Sequence, residues 1–441
     1  MPGEATRAFN EAVRNDPSSA YDQWCRLQDA FETRGITFGG RAMPTFLRPQ
    51  FVDRPTWDAL TTESTQLIRI SERLARNAFD GDIDRLLDFL GAPESHRQLL
   101  RLDPPGPDVS LSRVDGFIVD GRARFIEINS DAPAGFGYSD RMTDVFLTLP
   151  LLSEMAGGAP GSVGSVDSLV HELRSHARVP NPRIAIVDLR TVRTKPDQEI
   201  LREEFERRGL ATVLVDPRDM EIVNDRLVAE GAAVDVVYRR TVIGEVLGIE
   251  AEARAFFEAY RRALCVFVNS FRCYLSEDKA FMAILTDERY AELLSSGERE
   301  FIAAHVPWTR KVEDRRTQRG GVGIDLVRWI EGHRDACVLK PTHGYGGASV
   351  IIGSSVTEPV WRTSVETALN ERGWIVQERV TIPEEEFPVF DDNGSLRFES
   401  LKVNTNPFYV GGAAVGAVTR VSRDPVINVS AGGGSIPTLI A

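Results

Sequence analysis

A chain of 441 residues with 42% hydrophobic content can bury a large core and divide into two or three domains. Its formal net charge of -13 and pI near 5.2 argue against a nucleic-acid partner, because phosphate-backbone binding needs a clustered cationic face. No apolar run is long enough to span a bilayer and Met1-Pro2-Gly3-Glu4 lacks a charged-then-apolar signal, so a cytoplasmic protein with no membrane partner is expected.

Residues 1 to about 105 read as mostly helical, with periodic apolar positions in 55–78 (Trp57, Leu60, Leu67, Ile70, Leu74) and in 82–100. Pro104-Pro105-Gly106-Pro107 breaks that pattern and marks a boundary. From 109 to 130 two short apolar runs joined by Asp120-Gly121 predict a β-hairpin. Side chains alternate along a strand, so Arg113 and Asp115 share one face, as do Glu127 and Asn129. The small turn Ser130-Asp131-Ala132-Pro133-Ala134-Gly135 follows directly.

An alternating stretch comes next: strands at 183–188, 211–216 and 235–238 with a charged helix at 196–208, the pattern of a small parallel sheet flanked by helices. No GxGxxG follows its first strand, so it is not read as a dinucleotide site. A helix at about 248–264, a strand at Val266–Asn269 and a helix from about 277 to 297 are expected after it. The C-terminal part predicts strands at 337–340, 349–352 and 374–378, a helix near 357–371, and hairpin material from 388 onward. Cys25, Cys265, Cys273 and Cys337 show no CxxC spacing and are read as core or incidental thiols.

Only five of the 52 basic residues are lysines: Lys195, Lys279, Lys311, Lys340 and Lys402. Where arginine is the routine cation, a lysine needs a local reason, since its compact ammonium and the guanidinium fork are not equivalent phosphate partners. Lys340 ends a strand and begins Lys340-Pro341-Thr342-His343-Gly344-Tyr345-Gly346-Gly347, a flap whose amides can fold over phosphates while the ammonium pairs with them. A plain glycine-rich hairpin is the alternative, and His343 is read as a loop residue rather than a ligand. Lys279 is expected to open the helix after the Asn269 strand, also at phosphate reach.

Asp115, Glu127 and Asn129 offer hard oxygen ligands, which suit magnesium held together with nucleotide phosphates, and Arg113 can grip a phosphoryl group. Taken alone, the hairpin can equally be one with charged residues on its solvent face. Trp374-Ile-Val-Gln-Glu-Arg-Val380 is an apolar strand with a polar end; its backbone edge through Val380 can read adenine while Glu378 takes a ribose hydroxyl or the adenine amino group. The run from Gly411 to Arg420, continuing to Asn428, is dense in small residues, which suggests close packing on a ligand or a mobile lid, with Arg420 and Asn428 as contacts to phosphate and metal; a mobile terminal tail is the alternative.

Together these residues resemble the ATP-grasp ligases, in particular the circularly permuted branch that includes glutathionylspermidine synthetase and eukaryotic glutathione synthetase. The spacing of Arg113, Asp115, Glu127, Asn129, Asp131 and Pro133 matches that branch position for position, and Lys279, Lys340, the 340–347 loop, Gln377-Glu378 and Gly411 to Asn428 match its nucleotide elements. The Glu-x-Asn pair precedes the lysines, which is the permuted order. The likeness covers about 109–436 and leaves the first hundred residues aside. The glycine loop has Thr342-His343-Gly344-Tyr345 where eukaryotic glutathione synthetase carries a glutamate metal ligand.

The resemblance implies an α/β fold of the permuted ATP-grasp type, divided as 1–105 helical, 106–180 metal-binding hairpin and helices, 181–270 small parallel α/β region, and 271–441 nucleotide-binding region with a C-terminal lid. It implies ATP and Mg2+ as cofactors. Asp115, Glu127 and Asn129 would hold metal; Lys279, Lys340, Gly344, Gly346, Gly347, Gln377, Glu378 and Val380 would hold nucleotide; Arg113, Lys340 and Arg420 would act on the transferred phosphate. The implied reaction joins a small-molecule carboxylate to an amine through an acyl phosphate; a homodimer is left open. A small-molecule kinase that makes no amide, and a nucleotide-binding regulatory protein with a decayed site, are the alternatives.

Overall fold

The computed structural model describes residues 3–104, 107–155, 158–344, 349–391, 393–429 and 432–441. Its architecture is mixed α/β. The dominant element is an eight-stranded sheet whose path runs Gln50–Val52, Gly434–Ile440, Ala413–Ser422, Leu396–Val410, Leu111–Val119, Arg122–Asn129, with Glu384–Phe390 paired to Leu396–Val410 and Gly161–Ser162 paired to Gly434–Ile440. The long helix Arg54–Asn77 packs across one face and the helix Phe136–Phe146 across the other. Alternation explains both contacts: Tyr409 and Ala417 belong to the core beneath the first helix, and their neighbours Phe408 and Val418 to the core beneath the second.

The hairpin forms as the sequence predicts, with Asp120 at φ 50° and Gly121 at φ 73° in a two-residue turn. The strand Leu396–Val410 is shared. Its first half pairs with Glu384–Phe390, and its end pairs with the hairpin only at Phe408↔Arg113, Tyr409↔Ser112 and Val410↔Leu111. Beyond Arg113 the two strands diverge and side-chain amides replace the backbone ladder. Asn404 Nδ2 donates to Gly116 O at 2.6 Å, and Gly116 N donates to Asn406 Oδ1 at 3.2 Å. A bulge between Asp115 and Gly116 sits at the same place, and a Cβ on Gly116 would fall 2.6 Å from Arg124 O, so only glycine fits.

The small parallel sheet also forms, in the order Val266–Val268, Val236–Arg239, Arg183–Val187, Ala211–Val215, with the helix Lys195–Arg207 beside it. A third sheet is antiparallel: Thr309–Lys311, Trp374–Glu378, Cys337–Pro341, Ile351–Ile352. Two expected helices differ. The one at 248–264 is two pieces, Ile243–Leu247 and Arg254–Arg261. The one at 277–297 is broken into Tyr274–Glu277, Phe281–Thr286 and a 3-10 turn Glu288–Leu293, because Asp278 Oδ1 accepts from Ala280 N and Asp287 Oδ1 from Arg289 N, each restarting the chain. Lys279 therefore sits in a turn and does not open a long helix. Of the small-residue run from Gly411 to Arg420, the residues from Ala413 on belong to Ala413–Ser422, an interior strand of the large sheet rather than a lid. The four cysteines are free. No helix of the described residues is long and apolar enough to cross a membrane.

Candidate active site

The third sheet stands against the large one, and a cavity of ≈ 420 Å³ lies between them. One wall is built by the hairpin and by Asn404 and Arg420; the other by Val338, Lys340, Ile352, Gln377, Glu378 and Val380; the segment Pro425 to Asn428 closes a side. Lys340 Nζ and Gln377 Nε2 both donate to Ile126 O at 3.4 Å, and Lys340 Nζ also donates to Gln377 Oε1 at 2.8 Å, so the two sheets touch through this pair. Residues more than two hundred positions apart thus share one cleft.

Register puts Arg113 opposite Asn129 and Asp115 opposite Glu127. Arg113 is bidentate on Asp115, Nε to Oδ1 at 2.6 Å and Nη2 to Oδ2 at 2.9 Å, and its Nη1 donates to Ala134 O at 3.3 Å. Arg420 Nη1 adds a contact to Asp115 Oδ2 at 3.2 Å. Burial pushes the Asp115 carboxyl up, but Arg113 and Arg420 outweigh it and hold the group below the usual carboxylate range. Burial draws Arg420 down to about 10. Lys279 Nζ lies 3.0 Å from Glu127 Oε1 and donates to Gly344 O at 2.7 Å; burial disfavours its charge, yet Glu127 outweighs this and raises it. Asn129 Nδ2 donates to Arg113 O at 3.4 Å, which leaves Oδ1 as its acceptor.

Arg113, Lys340 and Arg420 thus line the cavity together with Asp115 and Glu127, and Lys279 adds a fourth cation through its pair with Glu127. That surplus is what a polyphosphate would meet. Lys340 is the least compensated of the four: burial lowers its ammonium to about 8, with Glu127 opposing. Among the described residues no group of three or more His, Cys, Asp or Glu could hold a metal ion. Two carboxylates and one amide fit a cation that takes its other ligands from phosphate oxygens and water, as magnesium does.

Part of the cavity wall is apolar, from Val338, Ile352, Val380, Ile382, Val426 and Ile427. The strand end beside it is less open than its sequence suggests. Glu378 N donates to Trp308 O and Arg379 N to Ala336 O, both at 2.8 Å, so among the described residues it is the Val380 amide that takes no protein acceptor. Glu378 is paired with Arg319 at 2.5 Å and lies 4.0 Å from Arg124. Gly344 touches the site through Lys279; Gly346 and Gly347 lie outside the described residues. His343 faces away from the cleft: Nδ1 is 2.6 Å from the Tyr274 hydroxyl and 2.8 Å from Asp278, and Nε2 is 3.1 Å from Gly91 O. Asp131, which follows the metal pair in sequence, is engaged elsewhere: Oδ1 pairs with buried Arg239 at 2.6 Å and Oδ2 accepts from Ile243 N at 2.7 Å.

Sequence reasoning missed Glu277, a half-buried acid beneath the 130–131 turn whose carboxyl is pushed up by burial and by Asp131 and which accepts from Ser130 N and Asp131 N. It also missed Asn404 and Lys402 on the cavity wall. The Asn404-x-Asn406 repeat on one strand face was the available signal.

Lys340 gives the cleft a pH dependence. In the free protein its proton leaves near pH 8, and a bound polyanion would retain it. Affinity for a nucleoside triphosphate is expected to be flat below pH 8 and to fall as pH rises above it, by up to about tenfold per unit. Titration calorimetry between pH 6.5 and 9.5 reads this directly, and Lys340→Arg should remove the break.

No family model matches the chain. It is 24% identical over 448 residues to a protein of Frankia casuarinae provisionally named glutamate–cysteine ligase 2-2, covering 92% of this chain and 48% of that one. An uncharacterised protein of Mycobacterium leprae is 23% identical over 474 residues, covering 98% and 79%. The chain spans about half the length of the ligase-named Frankia relatives it matches. Among solved structures, a glutathione synthetase-like effector of Globodera pallida, in apo form, superposes with a TM-score of 0.64 at 12% identity, covering 97% of this chain and 98% of that one. At that identity the likeness is one of fold.

Proposed function

We propose that the chain is an ATP- and magnesium-dependent carboxylate–amine ligase with the ATP-grasp fold in circularly permuted order. The observation that carries this is the shared cleft, in which Asp115, Glu127 and Asn129 from the hairpin face Lys340 and Gln377 from the opposite sheet. The domain division that accompanies the reading is 1–105, 106–180, 181–270 and 271–441, with a cytoplasmic location and small molecules as partners. The overall likeness to a glutathione synthetase-like fold and the ligase names of distant relatives support the same class.

In this reading the apolar part of the wall takes adenine, with the Val380 backbone reading its edge, and the cations around Asp115 and Glu127 take the phosphates. Asp115, Glu127 and Asn129 would hold magnesium, which supplies charge neutralisation on the phosphoryl oxygens. An oxygen of the substrate carboxylate bonds to the γ-phosphorus as the bond to the ADP oxygen breaks; the amine then adds to the acyl carbon and phosphate leaves with the former carboxylate oxygen. Lys340 and Arg420 oppose the charge that develops on the transferred group, while Arg113 holds Asp115 in place. Catalysis is positioning and electrostatics, with no covalent protein nucleophile.

Hydroxylamine provides the test. With ATP, magnesium and a panel of amino acids and small peptides, the protein should release ADP and form a hydroxamate by capture of the acyl phosphate. ADP release with a stable phosphorylated product and no hydroxamate would make it a kinase. No ADP release with any acid would overturn the reading.

A further inference from the structure

A second cavity of ≈ 390 Å³ lies next to the first and is walled by Phe38, Gly39, Arg41, Pro44, Arg193 and Val429. Consecutive residues of one segment line the two. Asn428 lines the large cleft and Val429 the small one, with about 3.8 Å between their Cα atoms. The segment is held in place by Gly433 N donating to Asn428 O at 2.9 Å, and by Ser435 N donating to Pro44 O at 2.8 Å.

Two arginines far apart in sequence, Arg41 and Arg193, line this one cavity. Arg41 is cross-strand to Phe38 in a hairpin whose turn is Gly39 (φ 61°) and Gly40 (φ 82°). Arg193 lies in the turn that follows the strand Arg183–Val187 and precedes the helix Lys195–Arg207. Both are exposed, and among the described residues neither side chain makes an ion pair or hydrogen bond. In a chain of net charge -13 an anion is drawn only where cations are locally left unpaired, and a guanidinium presents the fork that oxyanions match. Phe38, Pro44 and Val429 supply an apolar wall for the carbon chain between two charged ends.

We infer that this groove receives the far end of the acid substrate, so that the preferred acid carries a second oxyanion, carboxylate or phosphate, beyond the carboxylate that reacts. The inference rests on the ligase reading for what the near end does. Arg41 and Arg193 are specificity residues: they touch the tail and take no part in phosphoryl transfer.

Calorimetric titration of the full chain, with and without Mg·ADP, tests it using dicarboxylates from succinate to suberate, the matched monocarboxylates, and phosphono acids of the same lengths. At one length the dianion should bind at least about tenfold more tightly than its monocarboxylate. The Arg41→Gln/Arg193→Gln double variant should lose that preference while keeping its affinity for the monocarboxylate and its unfolding midpoint. A phosphono acid outbinding the dicarboxylate would identify the tail as phosphate. Equal affinity at every length, or a preference that survives in the double variant, would overturn the inference. Mg·ATP affinity is measured in parallel: its absence would sink the ligase reading alone, leaving the tail preference to stand or fall on its own titrations.

Discussion

Glu127→Gln is expected to lower ADP release by about a thousandfold, with the unfolding midpoint nearly unchanged. Removing one of two carboxylates from a magnesium–phosphate site forfeits several kcal/mol of charge stabilisation, and about 4 kcal/mol is three decades of rate. The substitution is isosteric; Lys279 loses its nearest charge partner but keeps its bond to Gly344 O and the field of the Glu277 and Asp278 carboxylates. Asp115→Asn is a poorer test, because Arg113 and Arg420 both lean on that carboxylate and its loss disturbs the fold as well as the site. The measurement is kcat at saturating ATP and magnesium beside urea unfolding of the same preparation. Turnover within tenfold of the unaltered protein would remove Glu127 from the metal.

The hairpin was legible because two local rules specify it: a turn dipeptide sets the register, and alternation sets the faces. Arg113, Asp115, Glu127 and Asn129 then have one arrangement open to them, and the structure has it. The helix over 277–297 failed for an equally local reason. Asp278 and Asp287 satisfy backbone amides two residues ahead, and that competes with continuing the helix. The small-residue run was misjudged because its cause is remote in sequence. Ala414 N donates to Thr65 Oγ1, and a Cβ on Gly416 would fall 3.0 Å from Ser165 Cβ, so these positions are small to admit the elements packed on both faces of the strand. Nothing near residue 436 announces that its strand lies parallel to Gln50–Val52, since its partner is remote in sequence.

The five lysines show how far a compositional argument reaches. Lys340 lines the cleft and Lys279 pairs with Glu127 at its wall, while Lys311 donates to Phe89 O and lies 4.7 Å from that ring, a local reason unconnected with the cleft. Rarity marks a residue as constrained; only the contact says by what.

Asp131→Ala is expected to destabilise the protein by about 3–5 kcal/mol, the cost of leaving a buried cation without its partner. Sequence spacing groups Asp131 with the metal pair, but its side chain is 2% exposed against an Arg239 that is 0% exposed, and both of its oxygens are spent inside the protein. Arg239 also donates to Thr241 O and Asn269 O, tying the end of the strand Val236–Arg239 to its neighbour, so the loss propagates into the parallel sheet. Urea unfolding of Asp131→Ala, Arg239→Met and the double variant separates the pair from its surroundings, and the double variant should be more stable than the sum of the single losses predicts. On the proposed reading, Glu127→Gln should cost turnover and Asp131→Ala stability, from two positions of one sequence motif. An Asp131→Ala protein that keeps its stability to within about 1 kcal/mol yet loses all turnover would return Asp131 to the phosphate end of the cleft.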